Sequence, residues 1–207
     1  MLLYLVRHGE RATKSYNSIL SHDKGLTHLG KKQAKVLADL LKEEIQAIYS
    51  SSFPRAMQTA KPIAKASKLK IQKVASFAEV NVGKWNGIPK EKIEIVRPGE
   101  RKEWHAHPET FRFPGGENLE ELEKRVMPAL NNIIKNETKH GNNKLCIVAH
   151  EAIVIMIASK LTRRSISDFH KDLVDKASIT IIETKNGKDG NIIIYNDTRH
   201  LEGIENK

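Results

Sequence analysis

The sequence predicts an α/β fold: a three-layer α/β/α sandwich with a mostly parallel central sheet and a helical lid insertion. Three observations predict it. Short, wholly apolar runs recur along the chain, as strands buried on both faces require. Between them lie stretches with apolar residues at helical spacing. Residues 76–116 break this alternation, holding both tryptophans and four of the seven prolines with poor periodicity.

Leu2–Val6 is a short apolar run ended by Gly9 and predicts a buried strand. His28–Lys42 predicts a helix with Leu29, Val36, Leu37, Leu40 and Leu41 on one face, capped by Thr27. Ala47–Tyr49 predicts a second strand. Pro54–Lys65 predicts a helix with Pro54 in its first turn and Ser51 or Ser52 near the cap. Ile71–Val74 is a third strand. The lid segment 76–116 should form short helices over a pocket. Leu119, Leu122, Val126, Leu130, Ile133 and Ile134 then mark a long helix, with Pro128 as a point of kinking. Leu145–Ala149 is a strand and Ile153–Leu161 a helix. Ile179–Thr184 and Ile192–Tyr195 flank a Gly-rich turn and predict an antiparallel pair.

The 207 residues suit a single domain, 1–207, able to bury a full core without disulfide or metal staples. The lone Cys146 allows no disulfide within the chain and favours a reducing compartment. The opening Met1–His8 lacks the basic and apolar regions of a signal peptide. No segment approaches the roughly 18 apolar residues of a membrane span. A soluble cytoplasmic protein is expected. The net charge is +10, but the lysines are scattered and only 5% of residues are aromatic, so neither nucleic acid nor a membrane is an expected partner. An exposed edge strand near Ile192–Tyr195 would permit a homodimer.

Ligands of such sheets bind beyond the carboxyl ends of the strands. Arg7 and His8 follow the first strand, and Arg55 lies just after the second. Glu79 follows the third, and His150 follows Leu145–Ala149. Together these residues fit phosphoryl transfer. Arginine forks bind phosphate oxygens. A neutral imidazole can attack phosphorus, and a second, if protonated, adds positive charge at the equatorial oxygens. A carboxyl group can protonate the leaving oxygen and then deprotonate water. Cationic side chains can neutralise the transferring group, so no metal and no cofactor are called for.

Leu5-Val6-Arg7-His8-Gly9-Glu10 resembles the Arg-His-Gly motif of the histidine phosphatase superfamily, which has a phosphoglycerate-mutase-like fold. Gly25–Ala34 resembles that family's first-helix start, and Tyr49–Ala60 its second arginine motif. Glu79–Gly87 resembles the segment carrying its general acid, and Phe113–Asn118 the loop before its long helix. Ile147-Val148-Ala149-His150 resembles its second histidine motif, and Asn196–Leu201 a common C-terminal ending. The lid resembles those of the small broad-specificity phosphatases and the α-ribazole-phosphate phosphatases.

The resemblance implies that His8 is the phosphorylated nucleophile, that Arg7, Arg55 and His150 form the phosphate pocket, and that Glu79 is the proton donor. Gly9 would let the loop turn tightly beside the phosphate. The expected function is a metal-independent phosphatase, hydrolysing a small phosphorylated metabolite through a phosphohistidine. The alternatives are a cofactor-dependent phosphoglycerate mutase and a non-catalytic protein that binds a phosphorylated ligand. The chain departs from the family pattern at three places. Arg11 stands where Thr or Ser is usual. Lys14 replaces a substrate-binding Asn, with Asn17 further on. Glu151 follows His150 where Gly is common. Arg11, Asn17 and Trp85 are candidate substrate contacts, although solvated loop charge is the plainer expectation for Arg11 and Lys14. Trp104 is expected to pack the lid. Glu151 would either repel phosphate or steady His150 as a cation.

Overall fold

The computed structural model describes residues 1–12, 23–185 and 187–204 of the chain. Its centre is a six-stranded sheet in the order β3-β2-β4-β1-β5-β6. The strands are β1 (Leu2–Arg7), β2 (Ala47–Ser51), β3 (Ile71–Val74), β4 (Lys144–Ala149), β5 (Ile179–Thr184) and β6 (Gly190–Asp197). The first four are parallel; β5 runs antiparallel to β1, and β6 to β5. This matches the mostly parallel sheet expected, with β6 at the predicted edge.

The apolar strands need no polar face because both faces are covered. Leu3 and Leu5 of β1 join Leu145 and Ile147 of β4 in one core, under α5 (Leu119–Lys139) and α6 (Glu151–Leu161). Tyr4, Val6, Cys146 and Val148 point the other way, into a second core under α1 (His28–Leu41) and α2 (Pro54–Ala66). The period-2 alternation of β-strands assigns each side chain to its layer. Among the described residues, no helix is long and apolar enough to cross a membrane.

Thr27 caps α1 as predicted, its side chain accepting from the Gly30 amide at 3.0 Å. The buried face of α1 differs from the one expected. It consists of Gly30, Gln33, Ala34, Leu37, Ala38 and Leu41, while Leu40 is largely exposed. Small residues decide this, because Ala38 of α1 packs in one core with Ala56 and Ala60 of α2. Gly30 is required for a second reason. A β-carbon there would overlap the Glu10 carbonyl oxygen and lie 2.9 Å from the Glu10 amide nitrogen. Gly30→Ala should therefore destabilise the protein by about 2 kcal/mol or more. A urea melt checks this, and an unchanged midpoint would contradict the contact.

The cap of α2 is Phe53, with Ser51 and Ser52 near it as expected, and β2 runs two residues further than the apolar run suggested. Ser51 Oγ accepts from the Phe53 amide at 3.3 Å. Asn118 and Glu121 form a reciprocal capping box at the start of α5, which continues as helix through Pro128. α6 begins at Glu151, two residues earlier than expected, with His150 as its N-cap.

Between β3 and α5 lie three 3-10 turns and two short helices, α3 (Ile93–Val96) and α4 (Glu100–Ala106). An aromatic cluster of Trp85, Trp104, Phe111, Phe113 and Phe169 ties this roof to the segment after α6. Trp85 is fully buried, and its indole N–H donates to Glu100 at 2.6 Å. It is a packing residue, which corrects its assignment as a substrate contact.

Candidate active site

Strands β1 and β4 are neighbours with Arg7 opposite Ala149, so their next residues, His8 and His150, emerge side by side. Their ring centroids are 5.2 Å apart. The first turn of α2 brings Arg55 to the same place, and the loop after β3 brings Glu79. Arg7, His8, Arg11, Arg55 and Glu79 line one cavity of about 320 Å³.

His8 is 3% exposed. Its Nδ1 lies 2.8 Å from the Gly9 carbonyl oxygen, which can only accept, so Nδ1 carries the proton. The Nε2 lone pair therefore faces the pocket, where Arg55 Nε donates to it at 3.1 Å. Burial and the adjacent Arg55 and Arg7 charges push the His8 pKa well below the ordinary imidazole value. The result is a neutral imidazole of defined tautomer. Gly9 serves this arrangement differently from the expectation: a β-carbon on it would meet the Gly30 carbonyl oxygen at 2.7 Å. Close approach of the first turn of α1, and not a left-handed turn, demands glycine.

Arg55 is almost fully buried, and its charge is balanced by Asp23 at 2.9 Å, also buried. Asp23 also accepts from the Arg55 backbone amide at 3.3 Å. Asp23 belongs to no periodic element, so no pattern in the sequence marked it as this partner.

Arg7 is held by two groups. Its terminal nitrogens donate to both oxygens of Glu151, at 3.0 and 3.2 Å, and NH1 also donates to the Val174 carbonyl. Glu151 thus pairs with Arg7, which corrects both earlier readings of it, as a repulsive charge or as a support for His150. Arg7 Nε is buried with no hydrogen-bond partner among the described residues.

His150 is fully buried. Its Nε2 lies 2.8 Å from Ser51 Oγ. Ser51 already accepts from the Phe53 amide, so its hydroxyl can donate to Nε2, leaving Nδ1 as an N–H donor. That Nδ1 is likewise buried without a partner among the described residues. Burial and the arginines push the His150 pKa well down, so the free pocket holds it neutral. A bound phosphate dianion offsets the arginine charges and favours the imidazolium.

Glu79 is half-buried, and burial raises its pKa against the opposing pull of Arg55. The loop carrying it is fixed by Arg125, which donates to the Ser76 and Glu79 carbonyls. Arg11 is no solvated loop charge. It bridges to Leu26, lines the cavity, and has its pKa lowered by burial and by Arg55. Asn17 and Lys14 lie outside the described residues.

At the cavity mouth stand Arg101, Trp104 and His105, all from α4, with Phe169, His170 and Leu173. The His105 and His170 rings stack at 4.2 Å, and His170 Nε2 donates to the Trp104 carbonyl at 3.0 Å. Trp104 therefore packs the roof, as expected, and also faces the cavity. The sequence pattern missed Arg101 and His170 because neither follows a strand.

A phosphoryl group suits this pocket. It offers oxygen acceptors to Arg7 Nε and His150 Nδ1 and sits within reach of a lone pair on His8. The model of the histidine phosphatase superfamily (branch 1) matches residues 3–198. Phosphoserine phosphatase 1 of Hydrogenobacter thermophilus is 32% identical over 204 residues, covering 96% of this chain and 93% of that protein. The metal-independent phosphoserine phosphatase of Arabidopsis thaliana is 28% identical, covering 98% and 84%. A mycobacterial glucosyl-3-phosphoglycerate phosphatase structure superposes with a TM-score of 0.85 at 22% identity, over 95% of this chain and 99% of that one. With Arg7, His8, Arg55 and Glu79 of these motifs converging on one cavity, the chain belongs to branch 1 of the histidine phosphatase superfamily.

Proposed function

We propose that this protein is a metal-independent phosphatase that hydrolyses small phosphomonoesters whose alcohol part carries a carboxylate, of the phosphoserine type. The observation that carries the phosphatase reading is His8, neutral, with Nε2 directed into an arginine-lined pocket. The phosphoryl oxygens are bound by Arg7, Arg55 and His150. As they bind, Arg55 Nε transfers its hydrogen bond from His8 to a phosphoryl oxygen, and His8 Nε2 attacks phosphorus in line. Protonated Glu79 gives its proton to the leaving oxygen, and the alcohol departs. The resulting Glu79 carboxylate then takes a proton from water. The hydroxide attacks phosphorus and displaces His8, and inorganic phosphate leaves. Arginine charge provides the electrostatic stabilisation.

The carboxylate preference is supported by the names of the relatives and by the mouth. Arg101 and His105 are four residues apart on α4, on the side that faces the cavity. Among the described residues no carboxylate pairs with Arg101. Arg101→Ala should raise KM for phosphoserine about fivefold and leave KM for p-nitrophenyl phosphate unchanged. Equal effects on both substrates would remove Arg101 from substrate recognition. The single, buried Cys146 accords with a cytoplasmic location.

The test of the whole reading is a rapid quench with labelled substrate in the presence of EDTA. It should trap acid-labile, base-stable phosphate on His8. Turnover without any trapped phosphoenzyme, or turnover abolished by EDTA, would refute it.

A further inference from the structure

Glu151 is a carboxylate on the wall of a phosphate pocket, where a negative charge needs a reason. It is the first residue of α6, a position where the helix N-terminus favours an anion. Its two oxygens take the end-on edge of the Arg7 guanidinium, formed by the two terminal nitrogens. The Val174 carbonyl takes a further NH1 hydrogen. What remains is the side-on edge, made by Nε and the second hydrogen of NH2, and this is the edge whose Nε has no partner.

We infer that Glu151 is a positioning residue: it clamps the end-on edge of Arg7 so that the side-on edge is presented to the phosphoryl group. An unclamped Arg7 could offer either edge and would swing on its flexible stem. Clamped, it has one edge to offer, and the rotamer freedom is lost on folding rather than on binding.

The same carboxylate also acts on Glu79. Glu79 and Glu151 line one cavity, whose other charged and titratable groups are Arg7, His8, Arg11, Arg55, Arg101, His105 and His170, and the Val80 amide donates to Glu79. Among them Glu151 is the like charge, which favours the protonated form needed to supply the leaving-group proton. Removing it also leaves Arg7 uncompensated. Both changes lower the pH at which Glu79 loses its proton.

The inference rests on the phosphatase reading, and three measurements test it. With p-nitrophenyl phosphate, Glu151→Gln should lower kcat about tenfold, since its amide nitrogen faces an Arg7 donor. Glu151→Asp, which keeps the charge, should recover part of that loss. In an Arg7→Ala background, Glu151→Gln should lower the rate no further. With the best alkyl phosphate, the alkaline limb of kcat/KM should move to lower pH in Glu151→Gln and stay in place in Glu151→Asp. An unchanged kcat, an equal loss in the Arg7→Ala background, or a limb that does not move in Glu151→Gln overturns the inference. Hydrolysis that survives His8→Ala would instead sink the underlying phosphatase reading. Loss of activity with His8 but indifference to Glu151 sinks this inference alone.

Discussion

His8→Ala should reduce turnover by a factor on the order of 10⁴ or more, because no other group in the pocket is placed to attack. His150 is the nearest imidazole, but its Nε2 is engaged by Ser51 and its Nδ1 is the protonated nitrogen. Cys146 is sealed in the sheet, with its thiol pKa driven up by burial. The phosphate-binding groups survive the substitution, so inorganic phosphate or vanadate should still bind. Isothermal titration alongside the p-nitrophenyl phosphate assay separates the two effects. Residual turnover within tenfold of wild type would mean that the nucleophile lies elsewhere.

Glu79→Gln should divide substrates by their leaving groups. An alkoxide needs a proton as it departs, whereas p-nitrophenolate barely does. Formation of the phosphoenzyme from phosphoserine should therefore slow by about 10² to 10⁴. With p-nitrophenyl phosphate the first step should persist and the second should stall, giving a burst of one equivalent of nitrophenolate. The pH profile adds an independent check. Wild-type activity requires neutral His8, present above its depressed pKa, and protonated Glu79, present below its raised one. The profile is then a bell with its acid limb below the usual imidazole value, and Glu79→Gln should lack the alkaline limb for alkyl phosphates. Equal slowing of the first step on both substrates would remove Glu79 from the acid role.

The residues that carry the chemistry were legible because one topological rule governs them. Arg7 ends a strand of a parallel sheet and His8, Arg55, Glu79 and His150 follow such strands, which short apolar runs reveal. Ser51, the last residue of β2, also stands at a strand end and holds His150, but its sequence position near a helix cap hid that role. What stayed hidden depends on contacts between segments distant in sequence. Asp23 balances Arg55 across 32 residues, and Glu151 reaches Arg7 across 144. Neither distance has a periodic signature. The two tryptophans illustrate the same limit. Both sit in a segment without periodicity, and only the folded roof decides that Trp85 turns into the core while Trp104 faces the cavity. On α1 the error came from ranking residues by hydrophobicity alone. Packing against α2 selects Ala38 over the larger Leu40.

The pairing of β1 with β4 has a consequence for how the enzyme breathes. The nucleophile and its companion histidine hang from adjacent central strands, hydrogen-bonded on both sides. Separating them requires breaking the sheet itself, so the reacting frame opens only with global unfolding. The exposed part of the roof, around Ile95 and Val96 of α3, can open locally at smaller cost, while Trp85, Trp104 and Phe113 stay in the core. Amide exchange in the two regions should then differ by orders of magnitude. Access of ester to His8 and its chemistry there are thereby uncoupled: the roof can vary in sequence and motion to suit different alcohols while the phosphoryl frame beneath keeps its geometry.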